Sequence, residues 1–100
     1  MNDFAVSPRA TADLDEIWTY LARQTDASTT DRVMEKIRQA FAMIGRQPEI
    51  GSRVGDRRPG LRYVFAGRYV VLYDNHSEMP SIRRVIHGAR DLSSYFGDEE

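Results

Sequence analysis

The side chains of this sequence able to carry chemistry are two histidines, His76 and His87, and a basic set that is nearly all arginine. Residues 51–97 hold eight arginines (Arg53, Arg57, Arg58, Arg62, Arg68, Arg83, Arg84, Arg90) against four acids (Asp56, Asp74, Glu78, Asp91), whereas residues 1–50 carry six bases and eight acids. A guanidinium is a planar fork of donors that suits carboxylates and phosphates alike, so the C-terminal half predicts an acidic partner without choosing between an acidic peptide and a nucleic acid. His87 ends an apolar, β-branched run just before Gly88. Imidazole can take or give a proton near neutrality, but at a strand end it is more often a satisfied structural donor. Arg90 and Asp91 have an equally plain reading, in which Asp91 caps a terminal helical turn and Arg90 pairs with a nearby carboxylate or carbonyl.

Other chemistries are absent from the pattern. There is no cysteine, hence no disulfide framework and no thiolate metal site. His76 and His87 are separated by a predicted strand and neither lies at ligand spacing from carboxylates, so no metal is expected. The seven glycines are scattered at turns and none forms a phosphate-cradling loop that opens a helix, so no cofactor is expected either. The chain begins Met1-Asn2-Asp3-Phe4, with an acid where a signal peptide has bases, and no apolar run approaches the length of a membrane span. The expectation is a cytoplasmic protein with one domain over residues 1–100, a length that supports one core and not two.

The elements that must position these residues follow from periodicity. Phe4-Ala5-Val6 is a short extended start, and Ser7-Pro8 supplies an N-cap oxygen followed by a proline at the first helical position. Ala10, Leu14, Ile17 and Leu21 recur at helical spacing, with Trp18 and Ala22 widening the stripe. After the polar run Gln24–Thr30, a second stripe at Val33, Ile37, Ala40, Phe41 and Ile44 ends at Gly45 and Pro48. So short a connection makes the two helices an antiparallel hairpin. Beyond the loop from Gly51 to Gly60, Arg62–Ala66 and Tyr69–Tyr73 flank Gly67-Arg68, a two-residue connection whose leading glycine suits a type II′ turn. Ser81–His87 is a third strand, with Ile82, Arg84 and Ile86 predicted on one face and Arg83, Val85 and His87 on the other. Asp91–Phe96 is a short terminal helical turn. The fold predicted is α+β: a helical hairpin packed on an antiparallel sheet in the order β-α-α-β-β-β.

Four stretches give the chain a resemblance to a known family. They are Ser7-Pro8-Arg9-Ala10 with Asp13-Leu14-Asp15-Glu16-Ile17-Trp18, then Gln47-Pro48 with Gly51, then Pro59-Gly60-Leu61-Arg62 running into Gly67–Tyr73, and finally Arg84-Val85-Ile86-His87-Gly88-Ala89-Arg90-Asp91. Together they resemble the ParE branch of the ParE/RelE toxins of type II toxin–antitoxin systems, over nearly the whole chain. The resemblance implies the fold just described, a ParD-like antitoxin as partner, and DNA gyrase as target, with no sequence-specific DNA binding by the toxin alone. The RelE branch shares the fold and cleaves mRNA on the ribosome, which requires a base for the 2′-hydroxyl, an acid for the leaving oxygen and cations over the phosphorane. Places where such nucleases carry cations are filled here by Leu61, Tyr63 and Val70, and the C-terminal tyrosine of some falls on Phe96, with Tyr95 beside it. The resemblance therefore favours a binding poison; the alternatives are a nuclease using His87, Arg62 and Arg90, and a non-toxic relative that keeps only its antitoxin surface. Partner-binding candidates are Trp18, Arg57, Arg58, Arg62, Arg68, Arg83, Arg84 and Arg90, with Trp18 a core residue by default.

Overall fold

Ser7 opens the first helix as expected. Its backbone is extended and its Oγ accepts the Ala10 N–H at 3.1 Å, while Pro8 takes the first helical position, where a missing N–H costs nothing. The structure, a computed structural model, describes residues 4–55, 58–75 and 78–96, with Tyr95 and Phe96 described by their main chain only. Helix α1 (Pro8–Gln24) is followed after two residues by α2 (Ala27–Arg46), whose cap Asp26 accepts the Thr29 N–H at 2.7 Å. That contact holds the Asp26 carboxyl below its ordinary value, because a main-chain N–H at a helix start favours the charged form.

The strands are β1 (Ala5–Val6), β2 (Ser52–Arg53), β3 (Leu61–Ala66), β4 (Tyr69–Asp74) and β5 (Ser81–His87), and helix α3 (Gly88–Phe96) follows. They form one sheet in the order β1-β5-β4-β3-β2. The succession of elements is the one the sequence predicts, with three additions. The loop after α2 contains β2, a two-residue strand paired with β3. The sheet is mixed, because β1 runs parallel to β5. The terminal turn is a nine-residue helix that starts at Gly88. Between β3 and β4 Gly67 has φ +63° and no other residue in the described chain has a positive φ, as a type II′ turn requires of its first central position.

The two faces of the sheet carry separate cores. Toward the helices, Ala10, Ile17, Ile37, Phe41 and Ile44 pack with Ala66, Tyr69, Val71, Tyr73, Ile82 and Val85, and the half-buried Leu14, Leu21 and Val33 complete the predicted cluster. On the outer face Val70, Leu72 and Ile86 form a second core, with Val54, Tyr63 and Leu92 of α3 against it. The predicted alternation in β5 is corrected here. Tyr73 pairs with Ile82 but Leu72 pairs with Arg84, so Arg83 is an extra residue in the ladder, and Ile82 shares the helix-facing side with Val85 and His87. Trp18 is corrected too: it is 53 % exposed and outside the core. Ile17 already points at the sheet, and one residue further turns a side chain ~100° away from it.

Candidate functional site

Tyr73, fully buried, organises the far end of the sheet. Its hydroxyl donates to the Pro48 carbonyl at 2.6 Å and accepts the Gly51 N–H at 2.9 Å. A Cβ on Gly51 would lie 2.7 Å from that hydroxyl and 2.8 Å from the Tyr63 carbonyl, so this backbone approach admits only glycine. Burial pushes the Tyr73 phenol up, against the Gly51 hydrogen bond, which pulls the other way. Arg62 serves the same loop, donating from Nη1 to the carbonyls of Gly51 (2.7 Å) and Glu49 (3.2 Å).

Asp13 organises the β5 side. It is 4 % exposed on the core face of α1, and its Oδ2 accepts both the Arg84 Nε–H (2.8 Å) and the Val85 main-chain N–H (2.9 Å). Arg9 stands 3.7 Å from its other oxygen. A charge can be buried there because the Arg84 guanidinium and the Val85 N–H donate to it and Arg9 stands nearby. Asp13 lies in the first of the stretches that carry the resemblance, but its buried pairing was not foreseen, although an acid between Ala10 and Ile17 on an apolar helix face is a readable signal.

His87, Arg90 and Asp91 meet at the start of α3. The His87 Nδ1 accepts the Arg90 N–H at 3.3 Å, and Asp91 accepts the His87 N–H at 3.4 Å and pairs with Arg90 at 3.3 Å. The imidazole thus serves as a helix cap and an acceptor through Nδ1, where the sequence suggested a donor. Its ring stands edge-on to Tyr69, 5.4 Å between centroids. Burial raises the Tyr69 phenol, with Arg90 lowering it in part.

These residues border a groove of about 840 Å³ on the helix side of the sheet, at the end where the α1–α2 connection overhangs the β3–β4 turn. Its walls are Ile17, Tyr20 and Leu21 of α1, Val33 and Lys36 of α2, and Tyr69 of the sheet, with Arg68, Arg84 and Arg90 around the rim. Arg84 and Arg90 are answered by Asp13 and Asp91. Lys36 and Arg68 have no ion pair among the described residues and are exposed, which makes the groove cationic at its turn end.

The basic candidates therefore divide. Arg68, Arg84 and Arg90 gather at this groove. Arg62 lies at the other end of β3, four residues or ~13 Å from Ala66, which shares a row with Tyr69 and His87. Arg58 is exposed beyond β2, and Arg83 is exposed at the ladder irregularity, where its carbonyl accepts from the Ser7 hydroxyl. Trp18 is not among the groove residues. Arg57 and His76, like the side chains of Tyr95 and Phe96, lie outside the described residues. Of the nuclease set, the structure brings His87 and Arg90 together and leaves Arg62 apart. Leu61, Tyr63 and Val70 all lie on the outer face, Val70 at 0 % exposure and Tyr63 against the same core. No cluster of three or more metal-ligating side chains occurs among the described residues, and no helix is long and apolar enough to cross a membrane.

Residues 4–92 match the family model described as the ParE toxin of the type II toxin–antitoxin system, parDE. Among characterised proteins, the chain is similar to Toxin ParE1 of Caulobacter vibrioides, 29% identical over 97 residues that span 97% of this chain and 100% of the relative. It is also similar to Toxin ParE1 of Mycobacterium tuberculosis, 27% identical over 90 residues that span 89% of this chain and 92% of the relative. A solved structure titled "Chromosomal ParDE TA system from P. aeruginosa" superposes with a TM-score of 0.69 over 87% of this chain and 98% of its own, at 14% identity, which speaks for the fold alone.

Proposed function

Because the chain belongs to the ParE toxin family of type II toxin–antitoxin systems, we propose that it arrests growth by binding DNA gyrase, without a catalytic step of its own, and that a ParD-like antitoxin neutralises it. The observation that carries the non-catalytic part is the outer face of the sheet. Where the RelE-like nucleases place cations, this chain has Leu61, Tyr63 and Val70, and the last two belong to an apolar core covered by Leu92. None of these three side chains is a cation that could meet the charge of a phosphorane, which supports a binding mode of action. The remaining candidates hold the fold: Arg62 ties down the loop after α2, His87 caps α3, and Arg90 is paired with Asp91.

The antitoxin part rests on the groove, whose apolar walls and unpaired Lys36 and Arg68 suit an acidic segment that orders on binding. Both partners would meet in the cytoplasm. The test sets purified chain plus gyrase on a plasmid beside a translation-coupled mRNA cleavage assay. Inhibition of gyrase with intact mRNA is the expected result; ribosome-dependent cleavage with unaffected gyrase would establish the nuclease reading instead.

A further inference from the structure

The two edges of the sheet are finished differently. Along β5, where β1 stops at Val6, side chains take over the main-chain groups. The Ser7 hydroxyl donates to the Arg83 carbonyl at 3.1 Å, Asp13 accepts the Val85 N–H and Asp91 accepts the His87 N–H. That edge is closed to strand addition by carboxylates that stand in for carbonyls.

The edge at β3 is not. Gly67-Arg68 is a two-residue turn, so Ala66 and Tyr69 exchange main-chain hydrogen bonds, and counting back by twos turns Leu61, Tyr63 and Phe65 outward. Leu61 is satisfied, its N–H by the Arg58 carbonyl and its carbonyl by the Val54 N–H, each at 3.0 Å, and Tyr63 pairs with Ser52. The residue that would continue β2 opposite Phe65 is Ile50, which instead gives its N–H to the Gln47 carbonyl at 2.9 Å. The main-chain N–H and C=O of Phe65 thus face outward without a main-chain partner among the described residues.

The side chains beside this gap point to an occupant. The Phe65 ring is 61 % exposed on the outer face, edge-on to Tyr63 at 5.9 Å. At the turn end stand Lys36 and Arg68, both exposed and without an ion pair among the described residues, and the Lys36 stem comes within 3.6 Å of a Cβ built on Gly67. A strand laid beside Phe65 would run toward these two cations and meet the groove, which they also border. A second copy of the chain could overlap only along residues 64–66, whereas a free segment can continue past Ala66.

We propose that an extended acidic segment of the antitoxin adds to the sheet as a sixth strand at β3, bonding the Phe65 main chain, packing on its ring, and setting its carboxylates beside Lys36 and Arg68. This rests on the antitoxin reading above. Strand addition supplies affinity through the main chain and specificity through alternate side chains.

The test uses the full chain with the antitoxin encoded beside it. Amide exchange followed by NMR should show the Phe65 N–H slowed in the complex relative to the free chain. Phe65→Pro removes an N–H that the sheet itself does not use, and a proline with its nitrogen at a free edge is tolerated. It should weaken the complex about ten-fold, with the circular dichroism of the free chain unchanged. Phe65→Ala, which keeps the N–H, should leave the Phe65 position's amide protection in place. Binding with Phe65 exchanging equally fast free and bound overturns strand addition and leaves the antitoxin reading standing. Protection that arises from self-association alone likewise overturns strand addition by the antitoxin, and failure of the parent chain to bind the antitoxin overturns both. Should the proline variant not fold, the exchange measurement on the parent decides by itself.

Discussion

Asp13 and Tyr73 each turn one polar side chain into a junction between elements. Asp13→Asn keeps the size and removes the charge that Arg84 and the Val85 N–H converge on. Arg84 retains some access to water, its side chain being 25% exposed, which softens the loss. A cost of about 3 kcal/mol in a urea titration is expected, and a variant as stable as the parent would deny this contact its role. Tyr73→Phe leaves the buried Gly51 N–H unmet and should cost about 1–3 kcal/mol at neutral pH. The pH dependence has a definite sign. Burial raises the phenol above its ordinary value of 10.0, so the folded chain holds this proton longer than the unfolded one. The associated stability is complete below pH 10 and is lost as pH rises through the raised value. Melting curves from pH 9 upward should therefore fall more gently for Tyr73→Phe than for the parent. The slope that remains includes Tyr69, whose phenol burial also raises.

At the scale of elements, the helical hairpin is held by its apolar stripe. Ile37, 1 % exposed, sits at the centre of that stripe over the sheet. Truncation to alanine removes buried methylenes and leaves a void, with an expected loss of about 2–5 kcal/mol by chemical denaturation. The stripe was legible because a helix repeats its face every three to four residues whatever lies beneath it. The side chains of β5 were not, since one extra residue at Arg83 reverses the alternation beyond it, and a bulge leaves no mark in a run of seven strand-forming residues. Helix α3 was legible only as a turn at Asp91. Its start at Gly88 depends on His87 serving as cap, and histidine is not among the residues that signal one.

For the molecule as a whole, the groove and the edge beside it are the surfaces on which the functional reading turns. If the chain is a binding poison, His87→Ala expressed without antitoxin should still arrest growth, although the start of α3 loses its cap. A nuclease would lose orders of magnitude in rate. Growth without arrest in a well-folded His87→Ala variant, joined to mRNA cleavage by the parent, would transfer the protein to the RelE mode. Replacing Lys36 and Arg68 with serine should slow antitoxin association and flatten its dependence on ionic strength. The dissociation rate should instead respond to changes at Leu21 or Val33. Stopped-flow rates over a salt series separate the two, and salt-insensitive association by the parent would remove the electrostatic part.

The sequence by itself determined the succession of the two long helices and three long strands, the apolar stripe of each helix apart from Trp18 and Ala22, the turn at Gly67 and the family resemblance, because each is written in near-neighbour spacing. It also puts Leu61, Tyr63 and Val70 at the places where the resemblance to the RelE branch would call for cations, since that is a matter of which residue stands where. What only the tertiary structure decided was which charges are still available. Eight arginines read alike in a sequence, yet Arg62 is spent on two carbonyls, Arg84 on Asp13 and Arg90 on Asp91, while Arg68 joins Lys36 at a groove. Those partners lie from one to seventy-one residues away along the chain. Whether a cation is neutralised depends on the distance to its counter-charge in space, and no local pattern carries that distance.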